Sequence, residues 1–194
     1  MNIEQARFNM IEQQIRPWDV LDQDVLNLLS IVKRENFVPA AYRNIAFADL
    51  EIPLPDGQNM LFPRVEARVL QELAIKKHEV VLEIGAGSGY MAALLAARGR
   101  SVTTVEISPE LAKLAEQNLA ANGVSNVQVV VGDGAFQGGD GFLFSAEQSA
   151  GAGEFEAGRL AGVEEVLLRD AHSFEHSAFA ALGQSALGSV GDGQ

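Results

Sequence analysis

The sequence predicts an α/β fold, a doubly wound parallel sheet preceded by a helical extension. Two observations carry this. From Glu79 onward, short apolar runs alternate with helical stretches at the lengths of strand–helix–strand units. The first run ends in a glycine cluster, and the next two end at acids, as strands presenting a ligand at their carboxyl ends do.

The elements follow in order. Ile3, Ala6, Met10, Ile11 and Ile15 share one apolar helical face, and Pro17 interrupts it. Asp22 is a suitable N-cap for a second helix carrying Val25, Leu26, Leu28, Leu29 and Val32. Between Phe37 and Pro63, four prolines and Asp56-Gly57 predict extended chain and turns. Residues 64–77 return to helix, with Val65, Val69, Leu70, Leu73 and Ala74 on one face.

Val80-Val81-Leu82-Glu83-Ile84 reads as a buried parallel strand. A helix spans 90–97, and β-branched Ser101-Val102-Thr103-Thr104-Val105-Glu106 forms the second strand. Pro109 suits the first turn of the next helix, which stops at Asn122-Gly123. Val127-Gln128-Val129-Val130-Val131 is the third strand, ending at Gly132-Asp133-Gly134.

Composition sets bounds on function. The 194 residues carry 26 acids against 14 bases, a net charge of -12, with 47% hydrophobic residues. That suits one globular domain with a small subdomain and opposes a general nucleic-acid surface. No apolar run is long enough to span a membrane, and the N-terminus does not read as a secretory signal. Zero cysteines exclude disulfides, thiolate metal sites and a cysteine nucleophile. A cytoplasmic protein is expected.

The first strand end is Glu83-Ile84-Gly85-Ala86-Gly87-Ser88-Gly89. The dinucleotide fingerprint needs G-x-G-x-x-G. Here Gly85 and Gly87 fit, but the sixth position is Tyr90, and an acid precedes Gly85 by two residues. A pyrophosphate is poorly served by that carboxylate, whereas a ligand with a cationic amino-acid portion is well served. The pattern therefore favours S-adenosylmethionine over NAD. Glu106, with Ile107 after it, ends the second strand, where an acid can accept from both ribose hydroxyls. Asp133, followed by Gly134, ends the third and can receive an adenine amino group.

These residues resemble a known family. Glu83 to Tyr90, Val105-Glu106, and Asn126-Val127 through Gly132-Asp133-Gly134-Ala135 are similar to motifs of the protein-L-isoaspartate O-methyltransferases. So are Met10 to Gln14-Ile15, Asp24-Val25-Leu26, Phe37-Val38-Pro39, Pro53-Leu54-Pro55, Gly57-Gln58 and Pro63. The resemblance covers roughly residues 5–137. It implies the Rossmann-like sheet of class I methyltransferases, with S-adenosylmethionine as cofactor. The implied partner is a damaged protein or peptide, whose L-isoaspartyl carboxylate is methylated. The ester then collapses to a succinimide, which permits repair. Where the family has Thr-Ile-Ser after Gly-Gln, this chain has Asn59, Met60 and Leu61. Leu61 replaces the serine associated with the catalytic site, and no catalytic residue is assigned. A divergent methyltransferase with another acceptor, or a non-catalytic cofactor-binding protein, shares the same motifs.

The resemblance implies three segments: an extension over 1–78, a cofactor-binding core over 79–137, and a tail over 138–194. Composition changes class near Gly134. Beyond it the chain has 11 of its 19 glycines and no Ile, Pro, Tyr, Trp or Lys. The family's further strands are missing after Gln137, which predicts an incomplete sheet with an open edge. Residues 163–168 are the one credible strand there, and their pattern reads equally well as helix. The abrupt change suggests out-of-frame translation of a GC-rich gene, with a replacement module as the other reading. His172 and His176 have metal-site spacing but no third ligand, so no metal is expected. Glu154, Glu156, Glu164 and Glu165 read as a solvated acidic face, and His78 as a surface residue.

Overall fold

A computed structural model describes residues 2–133 and the backbone of a strand at 143–146. The sheet runs through Val80–Ile84 (β3), Ser101–Glu106 (β4) and Val127–Val131 (β5), after a small antiparallel pair, Ile52–Pro53 (β1) and Asn59–Met60 (β2). β4 pairs in parallel with both β3 and β5, which puts the three strands in sequence order across the sheet. Glu83 lies opposite Thr104, Ile84 opposite Val105, and Glu106 opposite Val131. The carboxyl ends of all three strands are therefore level. Strand–helix–strand–helix–strand order and the parallel sheet agree with the sequence expectation of an α/β, Rossmann-like fold.

The helices start and stop for local reasons. Ile3–Met10 (α1) is capped by the Asn2 side chain, which accepts from the Gln5 N–H at 3.2 Å. It continues as a π turn over Ile11–Ile15 and a 3-10 turn over Arg16–Trp18, where Pro17 ends it. Asp22 caps Gln23–Ile31 (α2) by accepting from the N–H groups of Asp24 and Val25. Pro63–Leu73 (α3) stops earlier than its apolar spacing suggests, because Ala74 takes a left-handed conformation. Tyr90–Arg98 (α4) and Pro109–Ala121 (α5) fall where the sequence placed them. Residues expected as extended chain instead include a 3-10 helix at Ala40–Ile45, beginning just after Pro39.

One buried cluster runs from Met10 to Leu119 and includes residues of α1 to α5 and β3. The extension is thus packed onto the sheet rather than tethered beside it. Charge reinforces the docking. Buried Arg34 forms an ion pair with buried Glu66 of α3, and its Nε donates to the Ala46 carbonyl at 3.1 Å. Its Nη2 donates to the Leu61 carbonyl at 2.8 Å, and the guanidinium lies 5.1 Å from the Tyr90 ring centroid on α4. Trp18 packs as well, with the Arg64 guanidinium 4.6 Å from its ring centroid.

The tail requires one correction. Leu143–Ala146 (β6) pairs antiparallel with β3, Val81 opposite Ser145 and Leu82 opposite Phe144. The edge of β3 is therefore covered, not open. No strand signal is readable at these positions, because four residues in a glycine-rich stretch are too short a window for period-two alternation. The 163–168 strand, His172, His176 and the Glu154 to Glu165 acids lie outside the described residues, as does Gly134.

Candidate functional site

The site is built where the three parallel strands end. Backbone hydrogen bonds tie those ends together: the Gly85 N–H donates to the Val105 carbonyl at 2.7 Å, and the Gly132 N–H to the Glu106 carbonyl at 2.9 Å. Gly85, Gly87 and Gly89 all hold positive φ, at 92°, 51° and 81°. Two of them show why glycine is required. A Cβ at Gly85 would meet nothing within 4 Å and would project into open space before the strand end. A Cβ at Gly89 would lie 3.2 Å from the Ala115 Cα and carbonyl oxygen, so this glycine lets α4 pack against α5. Ala86 and Ser88 are buried between the glycines, and Asn118 of α5 donates to the Ser88 carbonyl at 2.9 Å.

Glu106 is the best-organised side chain of the group. It is 5% exposed, yet each carboxylate oxygen meets a backbone donor: Oε2 the Gly87 N–H and Oε1 the Ser108 N–H, both at 3.0 Å. Each oxygen keeps a further lone pair. The carboxylate therefore spans from the glycine loop to the start of α5, in a fixed orientation, with acceptor capacity to spare. Ile107, the next residue, is 70% exposed, and Val131 and Asp133 are exposed at the neighbouring strand end.

Glu83 is 3% exposed, and its Oε2 is buried without a hydrogen-bond partner among the described residues. Burial pushes its carboxyl up to about 8; Thr104 beside it on β4 pulls the other way, while Glu106 and Glu66 add to the rise. Burial likewise raises Glu66 to about 7, against the pull of Arg34. A cation arriving near Glu83 would relieve this cost. The residues present thus fit a ligand with a backbone-close portion, a vicinal diol and a cationic end.

Every cofactor residue expected from sequence within the described range lies at these strand ends: Glu83, Gly85, Ala86, Gly87, Ser88, Gly89, Glu106, Ile107 and Asp133. Sequence reasoning predicted a turn at Asp56-Gly57 without giving it a part in the site, and it did not single out Ser108 or Thr104. Ser108 had a signal, since a serine before Pro109 is a helix N-cap, and its Oγ accepts from the Leu111 N–H at 3.2 Å. Among the described residues no group of His, Cys, Asp or Glu is placed to hold a metal ion. No helix among them is long and apolar enough to cross a membrane.

Residues 5–141 match the family model for protein-L-isoaspartate(D-aspartate) O-methyltransferase. The chain belongs to that family. A protein-L-isoaspartate O-methyltransferase from Methanoculleus marisnigri is 42% identical over 128 residues, covering 66% of this chain and 58% of the relative. One from Aeropyrum pernix is 44% identical over 134 residues, covering 67% and 52%. The chain thus spans little more than half the length of these curated relatives. The fold is shared with a solved Plasmodium falciparum protein described as a protein-L-isoaspartate O-methyltransferase in complex with S-adenosyl-L-homocysteine. That match has a TM-score of 0.56 at 18% identity, covering 67% of this chain and 62% of the other. A further solved protein-L-isoaspartate O-methyltransferase matches at 26% identity with a TM-score of 0.54, covering 67% and 43%. Membership of the family includes the N-terminal extension, which the glycine motif alone would not have indicated.

Proposed function

We propose that this member of the family binds S-adenosylmethionine and transfers its methyl group to the carboxylate of an isoaspartyl residue in damaged protein. The observation that carries the cofactor half is Glu106, held by the Gly87 and Ser108 N–H groups at the end of β4. Its free lone pairs take the two ribose hydroxyls. Gly85 allows the backbone to approach the ligand, and the N–H groups at the start of α4 suit an anionic carboxylate. Glu83 serves the cationic amino-acid end. Ile107 offers an exposed apolar surface to the adenine, and Asp133 with Gly134 receives its amino group.

S-adenosylmethionine supplies a methyl group on an already activated sulfonium. The protein's task is alignment, holding an acceptor oxygen in line with that methyl and keeping water away. The extension over 1–78 supplies the wall against which an acceptor would lie, the core over 79–137 the cofactor pocket. The acidic balance, net -12, opposes a nucleic-acid acceptor, and we read the repair role as a cytoplasmic one.

Leu61 supports a second reading, a methyltransferase with a different acceptor. Its side chain packs against the main cluster and its carbonyl is held by Arg34, so no hydroxyl is available where the family pattern has serine. Radiolabelled methyl transfer to an isoaspartyl peptide, beside the aspartyl control, tests the proposal. Base-labile label on the isoaspartyl peptide alone is expected. Cofactor binding without label, with activity gained in Leu61→Ser, would favour the second reading.

A further inference from the structure

The segment Leu54 to Gly57 meets the core at two places, next to the two backbone donors that hold the Glu106 carboxylate. At one, Leu54 lies over the glycine loop: a Cβ added at Gly87 would be 3.4 Å from Leu54 Cδ1. At the other, the Ser108 hydroxyl donates to Asp56 Oδ2. Ser108 has one hydroxyl hydrogen, and its oxygen already receives the Leu111 N–H, so the hydrogen is directed outward to Asp56. The Ser108 N–H then holds Glu106 Oε1, and Glu106 Oε2 accepts from Gly87. One hydrogen-bonded path runs from Asp56 through Ser108 and Glu106 to the glycine loop, joining the extension to the core.

The turn's backbone suits an aspartate. Asp56 holds φ at +56°, in the left-handed region that Asp and Asn tolerate better than most side chains, and Gly57 follows at +68°.

We propose that Asp56 is a positioning residue of the cofactor pocket: its carboxylate holds the Ser108 hydroxyl, and through Ser108 fixes the Glu106 carboxylate that takes the ribose. This rests on the pocket assignment above. It makes the extension a working part of cofactor binding.

Titration calorimetry with S-adenosylhomocysteine, together with hydrogen exchange on the ligand-free protein, tests this. Asp56→Gly removes the latch while fitting the positive φ, and Asp56→Asn keeps an acceptor and the same backbone preference. The Asp56→Gly variant is expected to bind roughly fivefold more weakly, the scale of one partly exposed charge-assisted hydrogen bond, and Asp56→Asn to stay within about twofold of wild type. The Ser108 and Gly87 amides should exchange faster in Asp56→Gly. Combined with Ser108→Ala, Asp56→Gly should weaken binding no further than Ser108→Ala alone. Wild-type affinity and unchanged exchange in Asp56→Gly overturn the proposal while leaving the pocket standing. Folded wild-type protein that binds no S-adenosylhomocysteine overturns the pocket assignment, and this role with it.

Discussion

Replacing Gly89 with alanine adds one methyl group at the junction of the glycine loop and α4. Two penalties combine. The residue holds φ at +81°, where an L side chain costs about 1–2 kcal/mol. The new Cβ would also lie 3.2 Å from the Cα and carbonyl oxygen of Ala115 and 3.3 Å from its Cβ. Backbone of a neighbouring helix cannot rotate aside as a side-chain tip can, so overpacking adds about 1–3 kcal/mol. The expected loss is about 2–5 kcal/mol, which lowers a urea midpoint by about 1–2.5 M at a denaturant slope of about 2 kcal/mol/M. Gly85→Ala is the control. It has similar positive φ but open space around the new methyl, so its loss stays at about 1–2 kcal/mol while ligand binding suffers more. Urea unfolding followed by circular dichroism measures both. A Gly89→Ala protein as stable as Gly85→Ala would refute the claim that α4 packs against α5 through this glycine.

Three further outcomes are expected. Arg34→Met leaves Glu66 buried without its partner and should cost about 3–5 kcal/mol, whereas adding Glu66→Gln recovers much of it; equal losses in the single and double variants on thermal unfolding would argue against a buried charge pair. Folded protein keeps the Glu83 proton up to about pH 8, while the unfolded chain releases it near 4.5, so folding takes up a proton between these values. Stability should fall as pH rises through that window, and Glu83→Gln should flatten the slope in chemical denaturation; an identical slope in the variant counts against the assignment. For the same reason, affinity for S-adenosylhomocysteine should rise between pH 6 and 7.5 with proton release, visible as calorimetric heats that depend on the buffer, and Glu83→Gln should abolish the dependence.

What was legible in sequence was what local chemistry dictates. Glycines at 85, 87 and 89 announce positive φ, because few other residues adopt it. Asp22 and Pro109 mark helix starts, and β-branched runs mark β4 and β5. The acid at 106 could be placed at a strand end because strand length was readable. Pairings between distant residues were not legible. Arg34 and Glu66 are 32 positions apart, and Asp56 and Ser108 52 apart. Either member alone reads as an ordinary surface charge or cap until the fold brings the two together. The early stop of α3 was hidden too, because Ala74 has the apolar character of the face it leaves. β6 owes its place to the unpaired edge of β3, a property of the partner strand and not of residues 143–146.

The assignment of the strand ends as a cofactor pocket is tested most directly by calorimetry of S-adenosylhomocysteine on wild-type protein and Glu106→Ala. Saturable one-to-one binding in the micromolar range is expected for wild type, and loss of at least tenfold for the variant, about 1.4 kcal/mol or more for two charge-assisted ribose contacts. Folded wild-type protein that shows no binding, or a Glu106→Ala variant that binds as tightly, contradicts it.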